Sequence, residues 1–263
     1  MGKPFTQTRQ QSNFSDLLLM LVMRDIKIRY KQSLLGVAWA IFLPLSLMLI
    51  FTFIFSRVAP LRTGDIPYPV FAYVGLVPWQ FFRSGVLAAT SSLVAYPNLI
   101  TKIYCPRQVF PLAAVASKLI DFLVASTVLF GLMVYYRIPL SSAALWFPLL
   151  FGIQILLMLG LGYIVSMGNL FYRDVGYVME VFLLVLMFAT AVVYPTAVGA
   201  GWAGRLLALN PLTPLFDAYR DVLIRGINPD WNRILYPLAW AVALSIGGYI
   251  WFMRKEPLFA ERI

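Results

Sequence analysis

The sequence predicts an all-α integral membrane protein, and three observations predict it. Charge is scarce: Asp, Glu, Lys and Arg make up 12% of the 263 residues, about half the share of an ordinary soluble domain. Apolar residues supply 61% and the mean hydropathy is +0.80, so the apolar surface far exceeds what one core can hide. The apolar runs also have the length of a bilayer. A hydrocarbon core about 30 Å thick needs roughly 20 residues of helix, and residues 32–56 carry no charge at all.

Six spans account for the chain. The first covers residues 33–55; its length and its polar lead set it apart from a cleaved signal peptide. The second runs over about 68–95, interrupted by Pro78 and Arg83. The third is about 110–136, with Lys118 and Asp121 in its first half. The fourth, about 143–170, sits inside a charge-free stretch of 35 residues, 138–172. The fifth is about 175–198, with Glu180 near its start, and the sixth is 234–253 between Arg233 and Arg254. An even number places both termini on one side. With the termini inside, the inner segments hold twelve Lys and Arg and the outer segments seven, so the positive-inside rule predicts cytoplasmic termini. Nothing suggests a second domain: residues 1–263 read as one transmembrane unit.

Two non-spanning segments carry further information. In residues 14–32, Leu17, Leu18, Leu21, Val22 and Ile28 recur at helical spacing, while Arg24, Lys27 and Lys31 occupy another face. With Asp16 in the first turn, where the dipole favours an anion, this predicts an amphipathic helix along the inner membrane surface. Residues 199–233 are too polar to span and too apolar for a free loop. They hold GAGWAG, the helix-breaking NPLTP at 210–214, and FDAYRDVLIRG. Here Leu215, Tyr219 and Val222 face lipid or protein, while Asp217, Arg220 and Asp221 face water. The segment predicts short helices dipping back into the outer leaflet.

Several chemistries are excluded. With no histidine and Cys105 as the single cysteine, one chain can form no disulfide, no Cys/His zinc site and no imidazole acid–base pair. Gly199, Gly201 and Gly204 match G-x-G-x-x-G, but a span precedes them rather than a strand. No G-x-x-x-x-G-K-[ST] occurs, so the chain cannot hydrolyse a nucleotide by the phosphate-loop route, and ATP-driven work needs another subunit. The net charge of +10 reflects basic inner segments and anionic lipid rather than nucleic acid.

Charges within spans are costly and therefore informative. Lys118 and Asp121 lie three apart and can pair on one helix face. Arg83 has no acid within four residues, and it either snorkels to water or faces a cavity. Aromatic residues make up 16% of the chain. Most, including Trp146, Tyr236 and Trp251, read as interfacial anchors. Trp39, Phe42 and Trp79 have faces that can stack on sugar rings, with core or lipid packing as the alternative, and Tyr194 joins them as a candidate only through the export path that the resemblance given next implies.

RDIKIRYKQSLLGVAWAIFLPL (24–45), NLITKIYCPRQVFPLA (98–113) and NPLTP followed by FDAYRDVLIRG together resemble the permease subunits of polysaccharide and teichoic-acid ABC exporters, the Wzm/TagG-like family. The resemblance covers nearly the whole chain in order. Arg83 departs from it, since a small polar residue is more usual there. The resemblance implies a homodimer of six-span subunits in a bacterial inner membrane, bound to two ATPase subunits that use ATP and magnesium, with no cofactor held by this chain. It implies a coupling helix in residues 98–111, an N-terminal interface helix, and gate helices in 199–233. Within the coupling loop, Ile100, Ile103 and Tyr104 are the expected apolar anchors, and Lys102 and Arg107 the rim charges. Arg24, Lys27, Arg29 and Lys31 either meet the pyrophosphate of a polyprenyl carrier or only obey the positive-inside rule. The implied cargo is a lipid-linked polysaccharide, O-antigen first. Teichoic acid or capsule is the near alternative, and a small-molecule efflux permease the more distant one.

Overall fold

The computed structural model describes residues 5–31, 36–61, 63–64, 66–97, 99, 105–196 and 202–259, and among these it is helical with no strand. Ten α-helices follow in order: α1 Phe5–Lys31, α2 Ala38–Phe53, α3 Tyr68–Ser91, α4 Val109–Ser117, α5 Leu119–Tyr135, α6 Phe147–Phe171, α7 Asp174–Phe188, α8 Trp202–Leu209, α9 Leu212–Arg220 and α10 Trp231–Lys255. Among the described residues, four stretches are long and apolar enough to cross a membrane: Ala38–Val58, Val109–Tyr135, Ser142–Phe171 and Trp231–Lys255.

The other two expected spans differ for physical reasons. Helix α3 has 24 residues, but its tyrosines, prolines, Gln80, Arg83 and serines keep its hydropathy low. Protein rather than lipid surrounds it: Val70 through Trp79 are buried without a break, against α2, α5, α6, α7 and α9. Pro78 sits inside this helix without ending it, and the buried Gln154 of α6 donates to the Pro78 carbonyl at 2.8 Å. Helix α7 stops at Phe188 after 15 residues, about ten short of the expected end. Ala191 then adopts φ 53°, a left-handed conformation that an L-residue takes only when its surroundings enforce it. The expected third span is helical throughout, but it breaks between α4 and α5 at Lys118.

Sequence explains the remaining ends. Asp230 caps α10 by accepting from the Asn232 amide at 3.1 Å, and Arg254 and Lys255 complement the dipole at its far end. Helix α9 continues as a π-helical turn, Asp221–Arg225, closed by Gly226 at φ 70°. The tightest crossing joins α6 and α10. A Cβ on Gly160 would lie 2.4 Å from the Leu244 carbonyl carbon, and one on Gly248 would lie 2.5 Å from the Gly160 oxygen. Ser245 Oγ donates to the Leu156 carbonyl at 2.7 Å across the same contact. Small residues that let backbones meet are what helix pairs use where apolar surroundings provide no hydrophobic drive.

Helix α1 begins at Phe5, so Asp16 lies mid-helix and not in the first turn as expected. Leu17, Leu18, Leu21 and Val22 do form its packed face, joining a small apolar cluster with Leu93, Phe110, Met167 and Phe252. Ile28, assigned to that face by spacing, is instead 63% exposed. Outward faces of α2, α7 and α10 remain apolar and uncovered, with Phe53, Val181, Phe188 and Ile246 among their exposed residues.

Candidate functional site

The end of the bundle near α1 holds three cavities that share lining residues. The first, about 300 Å³, lies between the end of α1, the start of α2, α3 and α5, with Arg29, Trp39, Gln80, Lys118 and Asp121 on its wall. The second, about 670 Å³, shares Ser84 and Lys118 with the first and adds Arg83, Arg173 and Glu180. A third of about 250 Å³ extends along Asp25, Arg29, Ser91 and Ser117.

Polar contacts fix the walls. Arg29 pairs with Asp121 at 2.7 Å and donates to Ser117 Oγ at 3.2 Å, while the Tyr30 hydroxyl donates to the other Asp121 oxygen. These bonds tie the end of α1 to the α4–α5 break. Burial, reinforced by the Asp121 hydrogen bond, raises the Tyr30 phenol above its ordinary pKa, so it stays a neutral donor. Tyr96 likewise donates to Asp25, and burial followed by that bond raises its pKa. The Arg24 guanidinium lies over the Tyr96 ring at 4.6 Å. Asp121 therefore serves Arg29 and Tyr30 rather than Lys118, correcting the expected i,i+3 pair. The second cavity is where Arg83 points, which decides between its two readings.

At the opposite end of α7 the amides of Ala189 and Thr190 still donate back to Val185 and Met187, after which the chain leaves the helix, and side chains from elsewhere bond the carbonyls of this stretch. Arg220, 0% exposed, donates to the carbonyls of Ala191 at 2.9 Å and Val192 at 2.6 Å. It also pairs with Asp217 at 3.1 Å and lies 4.2 Å from the Phe71 ring centroid. Asn210 Nδ2 donates to the Ala189 carbonyl at 2.9 Å, Tyr68 to that of Val193 at 2.6 Å, and Thr196 to Asp217 at 2.9 Å. Gly75 makes room, because a Cβ there would sit 2.2 Å from the Val192 oxygen. Arg220 is thus a buried staple, contrary to its expected water-facing position. The fold places Leu215, Tyr219 and Val222 against protein, all fully buried.

The residues expected to handle sugar separate into two groups. Trp39 and Phe42, 52% and 56% exposed, form a T-shaped pair on the open face of α2 with centroids 5.5 Å apart. Tyr194 is half-buried, with its hydroxyl donating to the Phe188 carbonyl. Trp79 is 1% exposed and packs between Phe82 and Phe216. It reaches no surface on which a sugar could stack, so its expected role falls to core packing. Among the basic residues assigned to a pyrophosphate, only Arg29 lines a cavity; Arg24, Lys27 and Lys31 are exposed along α1. Arg107 is engaged by Glu256 at the end of α10 through its backbone amide at 3.2 Å and its guanidinium. Ile100, Lys102, Ile103 and Tyr104 lie outside the described residues, as do Gly199 and Gly201.

Reading along the chain gave no sign of the clustering of Arg83, Lys118 and Arg173. Their separations of 35 and 55 positions form no motif. Three cations in or beside apolar spans were the only signal.

Comparison with known proteins agrees with this architecture. The chain is 31% identical to the O-antigen export system permease protein RfbA of Myxococcus xanthus, over 97% of this chain and 98% of that protein. It is 30% identical to RfbA of Klebsiella pneumoniae over 94% of each. Against the polysialic acid transport protein KpsM of Escherichia coli the identity is 25%, over 92% of this chain and 94% of that one. The model of the ABC-2 type transporter family matches residues 16–224, and the chain is a multi-pass membrane protein belonging to that family.

Proposed function

We propose that this chain is the membrane subunit of an ATP-driven exporter that moves a lipid-linked polysaccharide, of the O-antigen class, across the inner membrane. The observation that carries the proposal is the end-to-end similarity to O-antigen export permeases, at 31% identity over 97% of the chain. The weaker similarity to a polysialic acid transporter keeps capsular polysaccharide as the second reading. A phosphate loop is absent from the sequence, so hydrolysis belongs to a partner ATPase using ATP and magnesium.

In this reading α3 and α7 join the four long apolar helices as six spans, with both termini cytoplasmic. Helix α1 lies along the inner surface, and the loop 98–111 docks in the ATPase through Ile100, Ile103 and Tyr104, with Lys102 at the rim. A polar glycan cannot pass through lipid, so two copies of the chain enclose its path. The uncovered apolar faces of α2 and α7 support that pairing. Trp39 and Phe42 offer sugar-stacking faces where the path begins and Tyr194 where it ends. Residues 199–233 close the outer mouth when no glycan is moving.

The test is genetic and biochemical together. Deleting the gene in its host should abolish surface polysaccharide and leave the lipid-linked glycan at the inner face. Re-expression with the partner ATPase should restore export, whereas the purified chain alone should show no ATPase activity. Unchanged surface polysaccharide in the deletion strain would sink the proposal. The composition of the glycan that accumulates decides between O-antigen and capsule.

A further inference from the structure

Just before α4, the backbone amide of Arg107 donates to Glu256 Oε1 at 3.2 Å, and the Arg107 guanidinium donates to the Glu256 carbonyl. The two residues thus exchange bonds, side chain to main chain in both directions, across 149 positions of sequence. Glu256 opens the 3-10 turn Glu256–Leu258 that follows α10. Beside it Phe259 is fully buried, with the Arg107 guanidinium 5.9 Å from its ring centroid and the Phe252 ring 5.1 Å away. The same apolar cluster takes in Leu21 of α1, Phe110 of α4 and Met167 of α6.

The chain on the other side of this stretch is fastened separately. Tyr96 stacks on Phe110 with centroids 5.4 Å apart and donates to Asp25 of α1. Residue 96 is therefore tied to α1, and residue 107 to the turn after α10. Helix α10 is itself seated against α6 by the close backbone approach at Gly160 and Gly248 and by the Ser245 bond. Chain order carries α4 only into α5; the exchanged bonds give it a second, direct connection to the α6–α10 pair. A bond from a guanidinium to a carbonyl is charge-assisted and stronger than a neutral one, and displacement passes between sites through packed side chains and hydrogen bonds of this kind.

We propose that the Arg107–Glu256 clamp is a positioning element. It holds the chain entering α4 so that a partner subunit bound at this end of the bundle acts on α6 and α10 as well as on α3 and α4. That the partner is an ATPase rests on the exporter reading; the clamp rests on its own bonds.

Cys105, the single cysteine, is half-buried two positions from Arg107 and reports on the clamp. Burial raises its thiol pKa, the Arg107 charge opposing that rise and the Glu256 charge adding to it. Loss of charge alone would therefore speed maleimide labelling equally in Glu256→Gln and Glu256→Ala, and slow it in Arg107→Ala. Glu256→Gln keeps an acceptor for the Arg107 amide. In full-length chain in phosphatidylcholine nanodiscs, Glu256→Ala should label about fivefold faster than Glu256→Gln, the factor for one hydrogen bond. Arg107→Ala should label faster than wild type. Equal rates for the two Glu256 variants, or slower labelling of Arg107→Ala, overturn the clamp. If Arg107→Ala is not monodisperse, the two Glu256 variants decide. In complex with the ATPase that co-purifies with the chain, Glu256→Ala should raise the ATP hydrolysed per glycan exported by at least about twofold, the lower end for changes along a coupling network. Glu256→Gln should keep the wild-type ratio, which mere loss of folded protein would not alter in either variant. A wild-type ratio in Glu256→Ala overturns the positioning role. Wild-type chain that binds no ATPase and restores no surface polysaccharide rejects the exporter reading, and the clamp then stands or falls on the labelling rates.

Discussion

Replacing Arg220 by methionine keeps most of the side-chain volume and removes every polar contact, so its cost can be worked from the structure. Two carbonyls, those of Ala191 and Val192, lose their donors in a fully buried place. An unsatisfied buried acceptor costs about 1–3 kcal/mol, which gives roughly 2–6 kcal/mol for the pair. The contact with Phe71 at 4.2 Å adds about 0.5–2 kcal/mol. Asp217 is partly exposed and keeps its Thr196 partner, so losing the ion pair adds little. Against this stands relief from burying a guanidinium, which makes a net loss of about 3–5 kcal/mol the expected result. Asp217→Asn, which keeps the Arg220–carbonyl bonds and the Thr196 contact, should cost no more than about 1 kcal/mol. The assay is reversible unfolding in mixed detergent–SDS micelles, followed by far-UV circular dichroism. Stability of Arg220→Met within about 0.5 kcal/mol of wild type, the range of an ordinary surface substitution, would refute the reasoning. So would a larger loss for Asp217→Asn.

Two further outcomes follow from other contacts. Gly160→Leu should drive α6 from α10, because the backbone of Leu244 and Ser245 occupies the added volume. A loss of at least about 1–3 kcal/mol should appear as a lower melting temperature in fluorescence-detected size-exclusion chromatography, whereas Gly152→Leu, at a site with open space, should melt like wild type. Asp121→Asn should loosen the end of α1 by about 1 kcal/mol, since both partners of the Arg29 ion pair are partly exposed. Hydrogen exchange should then quicken over residues 25–31 with little change elsewhere, and unchanged protection there would show that this anchor is not the one that matters.

Sequence patterning revealed what depends on long uniform signals. The runs at 33–55, 143–170 and 234–253 announced helices through length and lack of charge, and among the described residues helices occupy each of them, from Ala38 in the first. It misplaced what depends on partners distant along the chain. Arg220 lies among Asp217 and Asp221 in a pattern that reads as a polar face, and only the carbonyls left open after α7 explain its burial. Asp121 lies one helical turn from Lys118, yet its partner is Arg29, 92 positions away. Trp79 follows Pro78, which looked like a break; the helix runs through it to Ser91 and carries the ring into the core. The cluster of Arg83, Lys118 and Arg173 had no spacing by which to be found.

The short α7 has a consequence for how this molecule can move. Fifteen residues rise about 22 Å, less than a hydrocarbon layer about 30 Å thick. The missing stretch is occupied by backbone whose acceptors at 189, 191, 192 and 193 are bonded by Asn210, Arg220 and Tyr68 instead of by the next turn of helix. Those donors sit on other elements, two of them on or beside α9. Sliding α9 away from this stretch would strip three of the four acceptors together, and in an oily setting each stripped acceptor costs several kcal/mol. Only solvent arriving at the same moment could take over. Motion of α9 and wetting of the gap beneath it are therefore one event, and the joint stays locked wherever water cannot follow.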